Sequence, residues 1–112
     1  MFRLNLDKYR DRGVRTLSGR DRGEAVRKLA SLDDLDSSEE SVTVEIPEDV
    51  FSVHASFLLG LFGPSVRRLG LAGFYCKYKF PNLRTHRRNL EEAVTRALMH
   101  SSVLGGGRQS DE

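Results

Sequence analysis

The chain reads as a small α/β fold, a mixed β-sheet covered by about three helices, and three observations carry that reading. Phe2-Arg3-Leu4-Asn5-Leu6 alternates with the period of a strand, and Leu90, Ala93, Val94, Ala97 and Leu98 recur with the period of an amphipathic helix. Segments of the two kinds interleave along the chain, which points to an open sheet with helical crossovers, right-handed in nearly all known cases. With 112 residues, 38% hydrophobic and 30% charged, the chain suits one domain with one core. We place that domain at residues 1–104, followed by a Gly-rich polar tail, 105–112, that has nothing to bury and is expected to be disordered.

Taken in order, Phe2 to Leu6 forms a first strand with one buried face. Arg10 to Leu17 contains Gly13 and mixed polarity, and reads as a loop or the second short strand of a hairpin. Ser18 with Asp21 approximates a capping box, and Ala25, Val26, Leu29 and Ala30 then fall at helical spacing, so a first helix runs from about Gly19 to Ser31. Asp33 to Ser41 is acidic and serine-rich with Leu35 its lone apolar residue, and reads as a surface loop. Val42, Val44 and Ile46 project to one side of a β-branched strand stopped by Pro47.

Val50, Phe51 and Val53 lead into Ser56 to Phe62, apolar nearly all round and therefore a buried helix. Gly63-Pro64 is expected to interrupt it, with a second helical piece from Ser65 to Leu69 closed by Gly70. Phe74, Cys76, Tyr78 and Phe80 alternate with Tyr75, Lys77 and Lys79, a strand whose lysine face must reach water and whose Cys76 belongs to the core. The helix over Leu90 to Leu98 closes the fold.

The single cysteine excludes an internal disulfide and suits a reducing compartment. Met1 to Tyr9 is charged and alternating, unlike the apolar core of a secretory signal. Phe57 to Phe62 is broken by Gly60 and falls far short of the roughly 20 residues of a membrane span. A soluble, cytoplasmic protein with no membrane association is expected. The net charge of +2 is segregated: nine Lys/Arg against four acids in the first 28 residues, eight acids and no base from Ala30 to Val66, then nine bases against Glu91 and Glu92 up to Arg108. Such blocks form solvated faces or steer a charged partner.

Catalysis would need a nucleophile, base and orienting group. The nearest pair, His54 and Ser56, diverges by about 200° on a helix, and no G-x-S-x-G string surrounds any serine. We therefore expect no enzyme. His54, His86, His100 and Cys76 stand at no metal-ligand spacing, and no Gly-Lys-Ser/Thr follows Gly60-Leu61-Phe62-Gly63, so neither a metal nor a cofactor is expected. Lys77, Lys79, Arg84, Arg87 and Arg88, with His86 and with Tyr75 for stacking, make a candidate nucleic-acid patch, the basis of an alternative reading as a small basic nucleic-acid-binding accessory protein.

Several strings resemble the STAS-like family of bacterial and phage proteins, related in fold to STAS anti-sigma-factor antagonists. Ser18-Gly19-Arg20-Asp21-Arg22-Gly23 is similar to its Arg-x-x-Gly helix start, and Ser52-Val53-His54-Ala55-Ser56-Phe57 to its small-residue turn before a buried helix. Lys77-Tyr78-Lys79-Phe80 and the last helix also fit, over about Thr16 to Ser101. The resemblance implies βαβαβα order and a protein-interaction, regulatory role. In the antagonists the turn reads Asp-Ser-Ser-Gly, and its second Ser is phosphorylated by a partner kinase. Here that quartet falls on His54, Ala55, Ser56 and Phe57, so Ser56 becomes the candidate phospho-acceptor. Ser52, His54 and Phe57, with Arg20 and Arg22, become the candidate contact surface for another protein, such as an ATPase- or kinase-like regulator.

Overall fold

The computed structural model describes the backbone of residues 1–105 and the side chains of residues 1–99, so the His100 side chain and all of the expected tail 105–112 except the backbone of Gly105, which is helical rather than disordered, lie outside the described residues. Parallel pairing organises every strand. Strand β1 (Phe2–Asn5) lies beside β3 (Val42–Glu45), with Phe2 opposite Val42 and Asn5 opposite Glu45. On the other side of β3, β5 (Tyr78–Lys79) starts with Tyr78 opposite Val42. A second parallel pair joins β2 (Thr16–Leu17) to β4 (Ser52–Val53), so Thr16–Leu17 is a strand but not, as the sequence suggested, the second of a hairpin. The four α-helices described are α1 (Arg20–Leu29), α2 (Leu32–Ser37), α3 (Ala55–Lys77) and α4 (Arg87–Gly105). The expected α/β class is observed, with five short strands divided between two small parallel sheets.

Alternation places Leu4, Val42, Val44 and Ile46 in the core, as the strand readings predict. Leu6 is buried as well, but from a short 3-10 helix (Leu6–Tyr9) that follows β1. Between the two sheets the Arg10 guanidinium ties both connecting segments together. It donates to Asp7 at 2.8 Å and to both carboxylate oxygens of Asp49 at 2.8 and 3.0 Å, and to the Val14 carbonyl at 2.9 Å.

The apolar segment after His54 is the central rod of the fold. Phe57, Leu58, Leu59, Leu61, Phe62 and Val66 are all buried, and α1 and α4 both pack on α3. The α1–α3 crossing is a backbone-to-backbone approach. A β-carbon on Gly23 would sit 2.1 Å from the Phe57 carbonyl oxygen, and one on Gly60 would sit 2.2 Å from that of Arg20. This approach fixes the rotation of α1: Gly23, Val26, Arg27 and Ala30 face inward, and the predicted inward residues Ala25 and Leu29 are exposed.

Three elements differ from expectation. The acidic stretch after Ser31 is not simply a surface loop, because Leu32–Ser37 is helical and its Asp36 is buried. The chain continues as a helix through Pro64, and the break falls at Gly70, whose φ of 79° and ψ of 170° are open to glycine and strained for other residues. Phe74 to Lys77 is the end of α3 rather than a strand, so Phe74 and Tyr78 are buried four residues apart while Cys76 is exposed. The rings of Phe74, Tyr78 and Phe80 surround Phe62, each edge-on to it with centroids 5.3–5.6 Å away.

Asp36 anchors a buried polar cluster linking α1, α2, α3 and β5. Its carboxylate accepts from Arg27 Nη2 (2.8 Å), Ser65 Oγ (2.6 Å) and Tyr78 Oη (2.6 Å). Arg27 Nη1 also donates to Ser65 Oγ at 2.8 Å and to the Leu61 carbonyl at 2.9 Å. Burial pushes the Tyr78 phenol above its ordinary range, and the hydrogen bond that its protonated form donates to Asp36 adds to the shift. Because the folded value lies above the unfolded value of about 10, the folded protein keeps a proton that the unfolded chain loses. That contribution is complete below about pH 10 and is lost as pH rises further. Urea titrations should therefore show stability falling above pH ~10, with a shallower fall in Tyr78→Phe. An identical slope in the variant would assign the alkaline loss to other groups.

Candidate functional site

Because β2 and β4 are parallel neighbours, the helices that follow them begin side by side. The His54 amide donates to the Leu17 carbonyl at 2.8 Å, carrying the pairing one residue past the strands. The Gly19 amide, at the start of α1, donates to Ser56 Oγ in the first turn of α3 at 3.2 Å. Neither helix start has a side-chain cap, so first-turn amides of both remain without one. On the α4 side, Asn89 Nδ2 donates to the Val53 carbonyl at 2.8 Å and holds the end of β4.

Of the residues proposed for this surface, Arg20, Arg22 and His54 are exposed, and Ser52 and Ser56 are half-buried. Arg20 pairs with Glu24 at 3.4 Å and Arg22 with Asp11 at 3.3 Å. Exposed pairs of this kind contribute at most about 1 kcal/mol, so both guanidiniums are free to exchange partners. Arg67 adds to the positive field near Arg20: burial first, then repulsion from Arg20 and Arg27, lowers its pKa. Phe57 does not belong to the surface. It is 1% exposed, because the turn of helix from Ser56 to Phe57 carries the ring into the core among the α3 side chains.

The members of the basic cluster have different surroundings. Lys77 Nζ donates to the Ser38 and Glu40 carbonyls at 2.7 and 2.6 Å, satisfying the connection from α2 to β3. Arg87 lines a groove with Leu71, Tyr75 and Leu90, whereas Arg84 lines a different one with Ile46, Pro47 and Phe51. Lys79 and Arg88 are exposed.

Sequence reasoning missed two features. Phe51, read as part of the lead-in to the buried helix, is 76% exposed. His86, read as part of a basic patch, is buried, and its ring nitrogens have no hydrogen-bond partner among the described residues; burial lowers its pKa. For the first, the strand period points the wrong way, since Phe51 and the buried Val53 lie two apart and would share a face. No signal marked the second. Among the described residues no three His, Cys, Asp or Glu side chains gather to hold a metal ion, and no helix is long and apolar enough to cross a membrane. Compared with known proteins, the chain matches no family model, no curated protein and no solved structure.

Proposed function

We propose that this protein is a non-enzymatic docking module of the STAS-like kind, binding another protein through the adjoining starts of α1 and α3, with phosphate on Ser56 as its switch. The observation that supports this reading is the Gly19–Ser56 hydrogen bond, which sets one hydroxyl at the junction of two uncapped helix starts. Arg20, Arg22 and His54 are exposed around it. A phosphate there brings a charge of about −1.5 to −2, meets free amides and the positive ends of both helix dipoles, and draws the two arginines inward. The surface offered to a partner then changes in sign. The Asp36 polar cluster serves structure rather than chemistry in this reading, because Asp36, Ser65 and Tyr78 are all buried.

A photo-crosslinking residue at position 54, expressed in host cells, should capture a distinct partner. The same residue at exposed position 92 on α4 should not. In the first case Ser56→Glu should lower the yield by about tenfold, equivalent to about 1.4 kcal/mol of lost affinity. Capture from position 92 alone would remove the proposed surface, and an undiminished yield in Ser56→Glu would remove the switch.

A further inference from the structure

A second site lies outside the helix-start surface and shares no residue with it. Ile46 follows β3 and Asn82 follows β5, and the Asn82 side chain joins the two exits by accepting from the Ile46 amide and donating to its carbonyl. These exits floor a groove of about 510 Å³ at the carboxyl ends of two parallel strands. That is where open α/β sheets place their ligands, and the size falls within the usual range for small-molecule sites.

The groove holds polar groups that the protein itself leaves unused. His86 is 8% exposed and lines it with both ring nitrogens unpartnered among the described residues, an arrangement that is costly without a partner from outside. Arg84 lines it with no carboxylate partner among the described residues. Arg84 also holds a φ of 48°, a left-handed conformation that a non-glycine residue adopts at an energetic cost and that clusters at functional sites. Phe51 presents its exposed ring at the rim, and Glu48 puts a carboxylate on the same wall system. A simple anion would gain from Arg84 and lose to Glu48. A ligand carrying both an oxyanion and a hydrogen-bond donor gains from both.

We propose that this groove binds a small ligand in which a planar ring bearing a hydrogen-bond donor is joined to a carboxylate or phosphate. Arg84 and His86 take the oxyanion, Phe51 stacks on the ring and Glu48 accepts from the donor. Guanidinium–oxyanion bonds and ring stacking are each expected to be worth about tenfold in affinity, so both anchors should be visible by mutation.

The test is a heteronuclear NMR titration of the full chain with adenosine monophosphate, para-aminobenzoate and inorganic phosphate, followed through the His86 and Phe51 ring signals. A saturable shift with either ring-bearing probe is expected, with inorganic phosphate at least about tenfold weaker and Phe51→Ala and Arg84→Ala each weakening the better probe by about tenfold. The Phe62 and Phe74 ring signals should stay unchanged in both variants, showing that the core is intact. A response to adenosine monophosphate assigns the phosphate source, and a response to para-aminobenzoate alone assigns the carboxylate source. Phosphate binding as tightly as the ring-bearing probes, insensitivity to Phe51→Ala, or no His86 shift with any probe would overturn the proposal.

Discussion

A single methyl group at position 60 is expected to destabilise the protein by about 3 kcal/mol or more, at the upper end of overpacking effects. The new β-carbon would stand 2.2 Å from the Arg20 carbonyl oxygen, and its next contacts, the Arg20 carbonyl carbon and the Glu24 amide nitrogen, are 3.0 Å away. All three are backbone atoms, so no rotamer change relieves the clash. Either α1 moves away from α3, opening the core around Val26, or the crossing is lost. Gly23→Ala meets the same obstacle from the opposite side, 2.1 Å from the Phe57 carbonyl. Urea unfolding of Gly60→Ala should show a midpoint lowered accordingly, or no cooperative transition at all. A midpoint within about 0.5 kcal/mol of the parent would mean that the helices are not in backbone contact.

Asp36→Ala should be comparably damaging for a different reason. Its carboxylate is fully buried and answers three donors, so its removal leaves the Arg27 guanidinium, with a side chain only 8% exposed, short of its buried counter-charge. Breaking a buried pair from one side typically costs about 3–5 kcal/mol, because the surviving charge is left uncompensated. Asp33→Ala supplies the control. Asp33 accepts from the same Arg27 Nη2 at 2.7 Å, yet its side chain is 78% exposed, so water screens the pair and the expected loss is below about 1 kcal/mol. Equal effects in the two variants, measured by urea or thermal unfolding, would contradict this division.

Those two sites also show what was legible in the residue order. Strands β1 and β3 were readable because burial on one face alone writes itself as alternation. The inward stripe of α4 was readable for the corresponding reason, with Leu90, Ala93, Val94 and Ala97 all buried. Helix α2 was not readable, since four of its six residues are Asp or Ser and the partner that makes Asp36 burial possible lies nine positions upstream at Arg27. Phe74 to Phe80 misled because aromatic residues at every second position also contain pairs four apart. Here the pair Phe74 and Tyr78 packs from a helix end against Phe62. Pro64 misled as well, since the chain stays helical through it, whereas the stop read at Gly70 is where the positive-φ break falls.

At the candidate surface, the resemblance proposed Phe57 together with Ser52, His54, Ser56 and the two arginines, and the inward turn of Phe57 was not foreseen. The groove at the ends of β3 and β5 was invisible, because it gathers Glu48, Phe51, Arg84 and His86 across two connections that carry no periodic signal.

The strand pairing has one more consequence, for how the chain reaches this state. Phe2 meets Val42, Val42 meets Tyr78, and Thr16 meets Ser52, so among the described residues no sheet contact joins neighbours in sequence and no hairpin seeds one. Every ladder waits on the closure of a long loop, as does the α1–α3 contact of Gly23 with Phe57, and this slows folding relative to helical proteins of this length. During synthesis, β3 lacks its second neighbour until Tyr78 has left the ribosome, so the nascent chain carries an open strand edge over that interval.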